Sequence, residues 1–329
     1  MRTAGSKWLL GAAILLLILF PISLCIGRYA ISLSELCQIL TGGEAPDMAR
    51  QVFFRLRLPR TIMAVLAGGG LGVAGYVYQT LFKNPLAAPD IIGVASGANM
   101  GAAIGIICLG GGAWLLSASA FLGGVLAAVS AYLLARLSKQ RSLASVVLAG
   151  IVINAVTEAV VMFLKLFADP ANQLAPLEFW SMGGLSAVTD AKINAMLPGF
   201  LLGLLVLIAL RWQITLLGLD DEEARALGVR VGLVRGGVLL ASTVMVSSIV
   251  SVTGLITFIG LLAPHIARLL TRRNTVSTAV LCMLVGSILL LIADCLARSI
   301  ASSEIPISIL TALMGAPFLV GLMVRRRSL

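Results

Sequence analysis

The amino-acid sequence predicts an all-helical protein that crosses a membrane several times. Hydrophobic residues make up 59% of the 329 residues and charged residues only 12%, about half the charged share of a soluble domain. Apolar runs of about twenty residues, the length that spans a bilayer as a helix, recur along the chain. The runs are continuous rather than alternating, which favours helices over a barrel, the other structure that satisfies backbone polar groups in lipid.

Ten apolar segments are candidate membrane spans, and short connections join them into one membrane domain over residues 1–329. Two further segments, 31–40 and 173–180, are too short to cross and are predicted as non-spanning helices. Ser32 and Ser34 are candidate caps of the first. The ten candidate spans are residues 8–27, 60–80, 91–109, 114–136, 143–167, 193–211, 232–251, 255–271, 276–296 and 306–324.

The distribution of positive charge predicts the orientation. An even number of spans places both termini on one side, and most of the 24 Lys and Arg residues then fall on that side. Because cytoplasmic loops carry the excess of positive charge, both termini are predicted to be cytoplasmic. The basic residues lie between apolar runs, so the net charge of +10 indicates topology rather than nucleic-acid binding.

The most polar interruption, Leu217–Val229, lies on the predicted cytoplasmic side between the sixth and seventh spans. Four of the fourteen acidic residues form one run there, Asp220 to Glu223. Asp220 can cap a helix that ends at Gly228, with Glu223 at the capping-box position. Asp221 and Arg225 have the i,i+4 spacing of an ion pair. The segment is either an ordinary polar loop or a short surface helix made for a soluble partner, since so short a helix needs a surface to lie against.

A basic cluster lies on the predicted outer side, where the positive-inside rule disfavours it. Arg55, Arg57 and Arg60 occur within six residues, just before the second span. Such a cluster indicates an acidic outside partner. Lipid headgroups or local pairing are the alternatives.

Few charges lie within the spans, and an ionisable residue there is a functional candidate. Glu158 and Lys165 occur in the fifth span. Asp294 and Arg298 occur at the end of the ninth, with the i,i+4 spacing of an ion pair. A chain of acids suited to proton coupling is absent from the sequence, which disfavours a secondary transporter.

The sequence gives little support to an enzyme. It has no P-loop motif, so nucleotide chemistry would belong to another chain. Its one histidine, His265, has no acidic residue nearby in sequence, and its five cysteines have no metal-ligand spacing. A membrane enzyme with metal at Asp220–Glu223 stays open as a rival, although a second acidic cluster is missing.

Motifs over nearly the whole chain resemble, in their order and spacing, the permease family of ABC importers for iron–siderophore, haem and vitamin B12 uptake, the FecCD/BtuC-like or type II permeases. Each motif alone is weak, and the combination is specific. The matching pieces are Arg57-Leu-Pro-Arg60, Gln79-Thr-Leu-Phe-Lys-Asn-Pro-Leu-Ala87 with Gly93 and Gly97-Ala98, Leu148-Ala-Gly150, Trp180-Ser-Met-Gly-Gly184, Leu217–Gly228, Gly254–Arg268, Ala293-Asp294 with Arg298, Glu304-Ile-Pro306 and Thr311–Pro317.

The resemblance implies a ten-helix permease that works as a homodimer in the cytoplasmic (inner) membrane of a prokaryote. Two cytoplasmic ABC ATPase subunits would carry ATP and Mg, and an extracytoplasmic binding protein would dock on the other side. Spans two to five and seven to ten would form an inverted repeat. No cofactor, metal site or nucleic acid is expected on this chain itself, whose other contacts are with membrane lipid.

Site residues follow from the resemblance by position. Arg57, Arg60 and Arg298 match the positions that meet acidic residues of the binding protein. The stretch 217–228 matches the coupling helix that rests in a cleft of the ATPase. Its coupling residues are Leu217, Gly218, Asp220, Asp221, Glu222, Glu223, Ala224, Leu227 and Gly228.

Two cytoplasmic gates are also implied. Asn84 and Leu86 match a gate in the proline-rich turn between the second and third spans. Ser142 and Ser145 match a second gate, where this chain departs from a Ser/Thr-rich pattern. Another departure is Ile307-Ser308, where Val-Gly usually follows the Glu-x-Pro motif.

The resemblance also implies a class of cargo. We predict an iron(III)–siderophore, the commonest cargo of the family. Haem and cobalamin importers share the same motifs and remain alternatives. A transporter that works without ATP is the further rival.

Overall fold

The computed structural model describes residues 3–138, 143–272, 274–300 and 304–326. These ranges consist of helices and connecting turns and contain no strand. Irregular helical turns occur at Phe53–Arg57, Pro89–Ile92 and Pro170–Leu174. The α-helices are α1 Thr3–Cys25, α2 Leu33–Thr41, α3 Asp47–Val52, α4 Leu58–Leu81, α5 Val94–Ile107, α6 Ala113–Leu137, α7 Leu143–Leu166, α8 Ala175–Ser181, α9 Asp190–Ala209, α10 Arg211–Leu216, α11 Asp221–Ala226, α12 Val231–Thr253, α13 Ile259–Thr271, α14 Val276–Ala297 and α15 Ile307–Arg326.

Each of the ten candidate spans coincides with a helix. In the described ranges, seven helices are long and apolar enough to cross a membrane. The other three, α5, α13 and the apolar part of α15 at residues 307–321, are shorter. An all-helical polytopic membrane protein is confirmed, and the number of crossings and the side of the termini stay predictions.

Two short helices start later than hydropathy predicts because the backbone breaks before each one. The predicted span 91–109 begins with a 3₁₀ turn, and α5 starts only after Gly93, at φ +84°. The predicted span 255–271 begins with non-helical residues, and α13 starts only after Phe258, at φ +67°. Left-handed backbone is costly for a phenylalanine and stops helix growth there. A hydropathy average does not detect either break.

Both predicted non-spanning helices are present. Ser32 caps α2, and its side chain and that of Glu35 form a capping box. The segment predicted at 173–180 starts earlier, as a π-helical turn that leads directly into α8. Asp169 caps this turn, since its carboxylate accepts a hydrogen bond from the amide of Ala171 at 3.0 Å.

The core is built on α4, which is buried along most of its length between α12, α13 and α14. Its contact with α14 requires glycine, because a Cβ at Gly68 would lie 2.4 Å from the carbonyl oxygen of Gly286. The contact of α5 with α6 has the same form, because a Cβ at Gly101 would collide with the carbonyl oxygen of Ser119. Glycine at these positions allows the close backbone approach on which membrane helix packing depends.

Candidate coupling and docking sites

We call residues 217–228 the acidic segment, and two buried side chains fix it to the membrane helices. Leu217 and Ala224 are 2% and 1% exposed and belong to the main core. Asp220 has extended backbone and is the N-cap of α11. Gly228, at φ +85°, follows the helix in a conformation that glycine adopts at no steric cost. The helix predicted from the sequence is therefore present, and the plain-loop alternative is wrong.

The acidic side chains pair differently from the prediction. The carboxylate of Asp220 does not cap α11; it accepts a hydrogen bond from Lys83 at 2.9 Å. Asp221 pairs with Arg235 of α12 at 2.9 Å rather than with Arg225. Arg235 is the better partner because its side chain is only 12% exposed and is already held by packing, whereas Arg225 is exposed.

The environment of Asp221 favours its charged form. Burial by itself would raise the pKa of this carboxyl group. The hydrogen bond and charge of Arg235, with Lys83 and Arg225 nearby, outweigh burial and hold the pKa below its ordinary value. The acidic segment therefore stays tied to α12 at neutral pH.

The exposed side of the acidic segment has no partner within the described residues. Glu222 and Glu223 are exposed, and neither has an ion pair in that part of the chain. Leu219 and Leu227 are 40% and 60% exposed beside them. These two acids and two leucines form an exposed acidic and apolar surface, on a segment whose other side is buried against the membrane helices.

We call Arg57, Arg60, Asp294, Arg298 and Glu304 the arginine cluster, and Asp294 lies at its centre. Asp294 is fully buried and accepts a hydrogen bond from Arg60 Nε at 2.7 Å, and Arg298 Nε lies 3.3 Å from its second oxygen. Arg60 Nη1 also donates to Glu304 at 2.9 Å. The predicted pairing of Asp294 with Arg298 is confirmed, and Arg60 joins it.

Two of the arginines also bind the end of α1. Arg298 Nη2 donates to the carbonyl oxygen and the hydroxyl of Ser23 at 2.8 and 2.6 Å. Arg57 Nη1 donates to the carbonyl oxygen of Ile26 at 2.5 Å. Its guanidinium packs against Gly27, which has φ +149° and has no room for a side chain. The cluster thus joins α1, α4 and α14.

The three arginines predicted to dock a partner are buried in this structure. Arg57, Arg60 and Arg298 are 7%, 8% and 3% exposed, and local pairing, one of the alternatives considered from the sequence, accounts for their contacts. Arg55 is exposed at the same end. Docking through the three arginines stays a prediction that requires them to become accessible.

The predicted gate residues take part in local turns. Asn84 Oδ1 accepts a hydrogen bond from the amide of Leu86 at 2.9 Å, which fixes the turn after α4 and leaves Leu86 56% exposed. Ser145 Oγ donates to Ser138 Oγ at 3.1 Å. Ser142 lies outside the described residues. The gate roles of these residues stay predictions.

The departure at Ile307-Ser308 has a structural role. The amide of Ile307 donates to the carbonyl oxygen of Gly183 at 3.1 Å, and its side chain is buried. Ser308 Oγ donates to the carbonyl oxygen of Leu255 at 2.5 Å, which is a backbone acceptor in the non-helical stretch before α13. A glycine at position 308 would lack this second contact, so the serine ties the start of α15 to that stretch.

Sequence reasoning missed the partners that organise both sites. Lys83 and Arg235 hold the acidic segment, and Glu304 and Ser23 complete the arginine cluster. Glu304 lies in a matched motif, and an acidic residue so close in sequence to Arg298 could have been predicted to join the arginines. The contacts of Lys83 and Ser23 join residues 137 and 275 positions apart, which spacing alone does not reveal.

The fold defines an all-helical membrane protein with several apolar spans. The chain belongs to the FecCD transport family, whose model matches residues 15–325. It is accordingly the permease component of an ABC importer, a transport subunit rather than a catalytic one, from a family that works with ATPase subunits and a binding protein in bacterial inner membranes.

Named relatives carry different cargoes. The molybdate import system permease protein MolB of Haemophilus influenzae is 38% identical over 315 residues, which cover 94% of this chain and 93% of MolB. A probable iron chelatin transport system permease protein of Helicobacter pylori is 36% identical over 276 residues, 84% of this chain and 83% of that protein.

A solved structure supports the fold directly. It is described as an inward-facing conformation of a metal-chelate type ABC transporter. It matches with a TM-score of 0.86 and 36% sequence identity, over 98% of this chain and 99% of that one.

Proposed function

We propose that this chain passes a metal chelate, and specifically an iron(III)–siderophore, from an extracytoplasmic binding protein to the cytoplasm. It works as a homodimer above two ATPase subunits, which carry ATP and Mg, and it has no cofactor of its own. The observation that carries the proposal is the acidic segment, which combines a buried anchor with an exposed acidic face. This geometry does not support a metal-dependent enzyme, because Asp220 and Asp221 already pair with cationic side chains.

The two ion pairs of the acidic segment connect it to two membrane helices. Asp220 contacts Lys83, which lies two residues after the end of α4 at Leu81. Asp221 contacts Arg235, near the start of α12. A partner that moves the acidic segment therefore pulls on both helices together, and these helices belong to the packed core. Such a connection supports switching between two packed arrangements of the dimer, biased by ATP in the partner.

The decisive variant reverses the charge of the exposed face without touching the anchor. Glu222→Lys with Glu223→Lys is expected to lower ATP-driven uptake in proteoliposomes about tenfold or more, through uncoupled hydrolysis or lost assembly. Glu44→Lys with Asp47→Lys is the matched control, because it makes the same charge change at two other exposed acids. Unchanged uptake in the first variant would contradict the coupling role.

A second cargo, molybdate, is favoured by the 38% identity to MolB. Uptake of a radioiron-labelled hydroxamate siderophore and of radiolabelled molybdate by the complete importer separates the two cargoes. The same vesicles without the ATPase test the ATP-independent rival, which predicts uptake that persists.

A further inference from the structure

Helix α7 carries a carboxylate deep within an apolar span. Glu158 lies eight residues before the end of α7 at Leu166, which is about 12 Å along the helix axis. The best window of this helix has a mean hydropathy of 2.2. Glu158 is exposed, and so are the apolar side chains of Ile151 and Met162, which lie on the same side of the helix.

Glu158 is left without a cation inside the described part of the chain. Lys165, the other charge of α7, pairs with Glu178 at 2.6 Å. No ion pair or hydrogen bond of the Glu158 side chain occurs among the described residues. Its charge must therefore be stabilised by something outside the packed helices.

Lipid does not provide that stabilisation. A charged side chain facing hydrocarbon at the middle of a span is costly, and such residues normally face a water-filled cavity or pair with each other. The helical spacing also places Asn154 and Lys165 on the same side of α7 as Glu158. Asn154 Nδ2 donates to the carbonyl oxygen of Asp90 at 3.2 Å, which extends this polar edge towards the turn before α5. A polar edge along an apolar span is typical of a helix that borders water.

We propose that Glu158 faces the aqueous cargo route and that its carboxylate determines cargo charge. It favours neutral or cationic metal chelates and disfavours dianionic oxyanions such as molybdate. The inference rests on the proposed function in one respect, that cargo passes along α7. In a homodimer each copy would contribute one such carboxylate.

The selection follows from electrostatics in a route with low-dielectric walls. Protein and lipid around a narrow aqueous path focus the field of a fixed charge and weaken screening. A dianion interacts with that field twice as strongly as a monovalent ion and with the unfavourable sign. The identity to MolB and the charge of Glu158 thus point to different cargoes.

The test measures the local field directly with thiol reagents of opposite charge. Met162 is one helical turn from Glu158 and 64% exposed, so Met162→Cys reports on the same face. The assembled importer in proteoliposomes is treated with a cationic trimethylammonium methanethiosulfonate or with an anionic sulfonate analogue. Labelling at position 162 is quantified by peptide mass spectrometry, which separates it from the exposed native Cys37 and Cys108.

Both reagents are expected to react, and the cationic one is expected to react about tenfold faster after normalisation to a small free thiol, a factor equivalent to ~1.4 kcal/mol. Glu158→Gln should bring the normalised ratio close to one, and Glu158→Lys should invert it. Glu158→Asp should preserve it, which separates a charge effect from a packing effect. The control is Leu202→Cys on α9, which is 59% exposed and has no charged residue within two helical turns. It is expected to face lipid and to react with neither reagent.

Two outcomes would overturn the inference. If Met162→Cys is as unreactive as Leu202→Cys, the face of α7 is not aqueous. If both reagents label position 162 and the ratio of their rates does not change with the charge at position 158, the carboxylate does not select cargo. Neither measurement depends on ATP-driven uptake, so a failure of the proposed transport function is seen separately, as absent iron–siderophore uptake with the charge ratio intact.

Discussion

The arginine cluster and the acidic segment lie at the two ends of one helix and use charge in opposite ways. Arg60 lies in the first turn of α4, and Lys83 lies two residues beyond its last residue, Leu81. The two are separated by about 35 Å at the rise of an α-helix. In the cluster, the cations surround a fully buried carboxylate. In the acidic segment, the exposed carboxylates outnumber the two cations that hold it.

The difference separates charges that fold the protein from charges that are available to a partner. Asp294 has no exposure, and the arginines beside it donate hydrogen bonds to Asp294 itself, to Glu304 and to Ser23. Removing it affects packing first. The side chains of Glu222 and Glu223 have no ion pair or hydrogen bond within the described chain, so changing them should affect assembly and leave the fold unchanged. Stability measurements on one region and partner measurements on the other therefore test this contrast.

The largest expected effect is that of Asp294→Ala. It leaves Arg60 and Arg298 buried beside an empty site, and breaking a buried ion pair by removing one partner costs about 3–5 kcal/mol. The midpoint of denaturant unfolding in detergent should fall accordingly. Glu304→Gln is the control, since that side chain is 34% exposed and its loss should cost about 1 kcal/mol or less. Equal effects of the two substitutions would remove the distinction between a buried centre and a partly exposed rim.

Sequence reasoning predicted the helices well and their pairing poorly, for physical reasons. Apolar length specifies a membrane helix locally, so all ten segments have helical counterparts. The starts of α5 and α13 depend on left-handed backbone at Gly93 and Phe258. Only the glycine is a residue type from which such a conformation can be predicted. The motifs predicted which arginines and acids form the two charged sites. The burial of the arginine cluster depends on how α1, α4 and α14 pack together, which cannot be predicted from composition.

A smaller effect is expected when acid titrates the acidic segment. The folded pKa of Asp221 is below its ordinary value. The pair with Arg235 therefore stabilises α11 fully above the ordinary Asp pKa of about 4, and the stabilisation is lost as the pH falls through the lower folded value. Hydrogen exchange of the peptide covering 217–229 should show α11 opening more readily at low pH, by about 1 kcal/mol for a partly exposed pair. Arg235→Met should remove this pH dependence, while the amides of α4 and α14 keep their protection from hydrogen exchange. If the pH dependence remains in Arg235→Met, another titrating group is responsible.

The smallest effect is expected at the Lys83–Asp220 pair. The side chains are 33% and 85% exposed, and solvent-exposed ion pairs contribute about 0.2–1 kcal/mol. A double-mutant cycle with Lys83→Met and Asp220→Asn should give a coupling energy for unfolding within that range. The same cycle measured on ATP-driven uptake should give a larger coupling, because the pair connects the acidic segment to α4 when the segment is moved. A cycle that gives equal, near-zero coupling in both measurements would leave Arg235 as the connection between the segment and the membrane helices. In that case α12 would transmit the movement without α4.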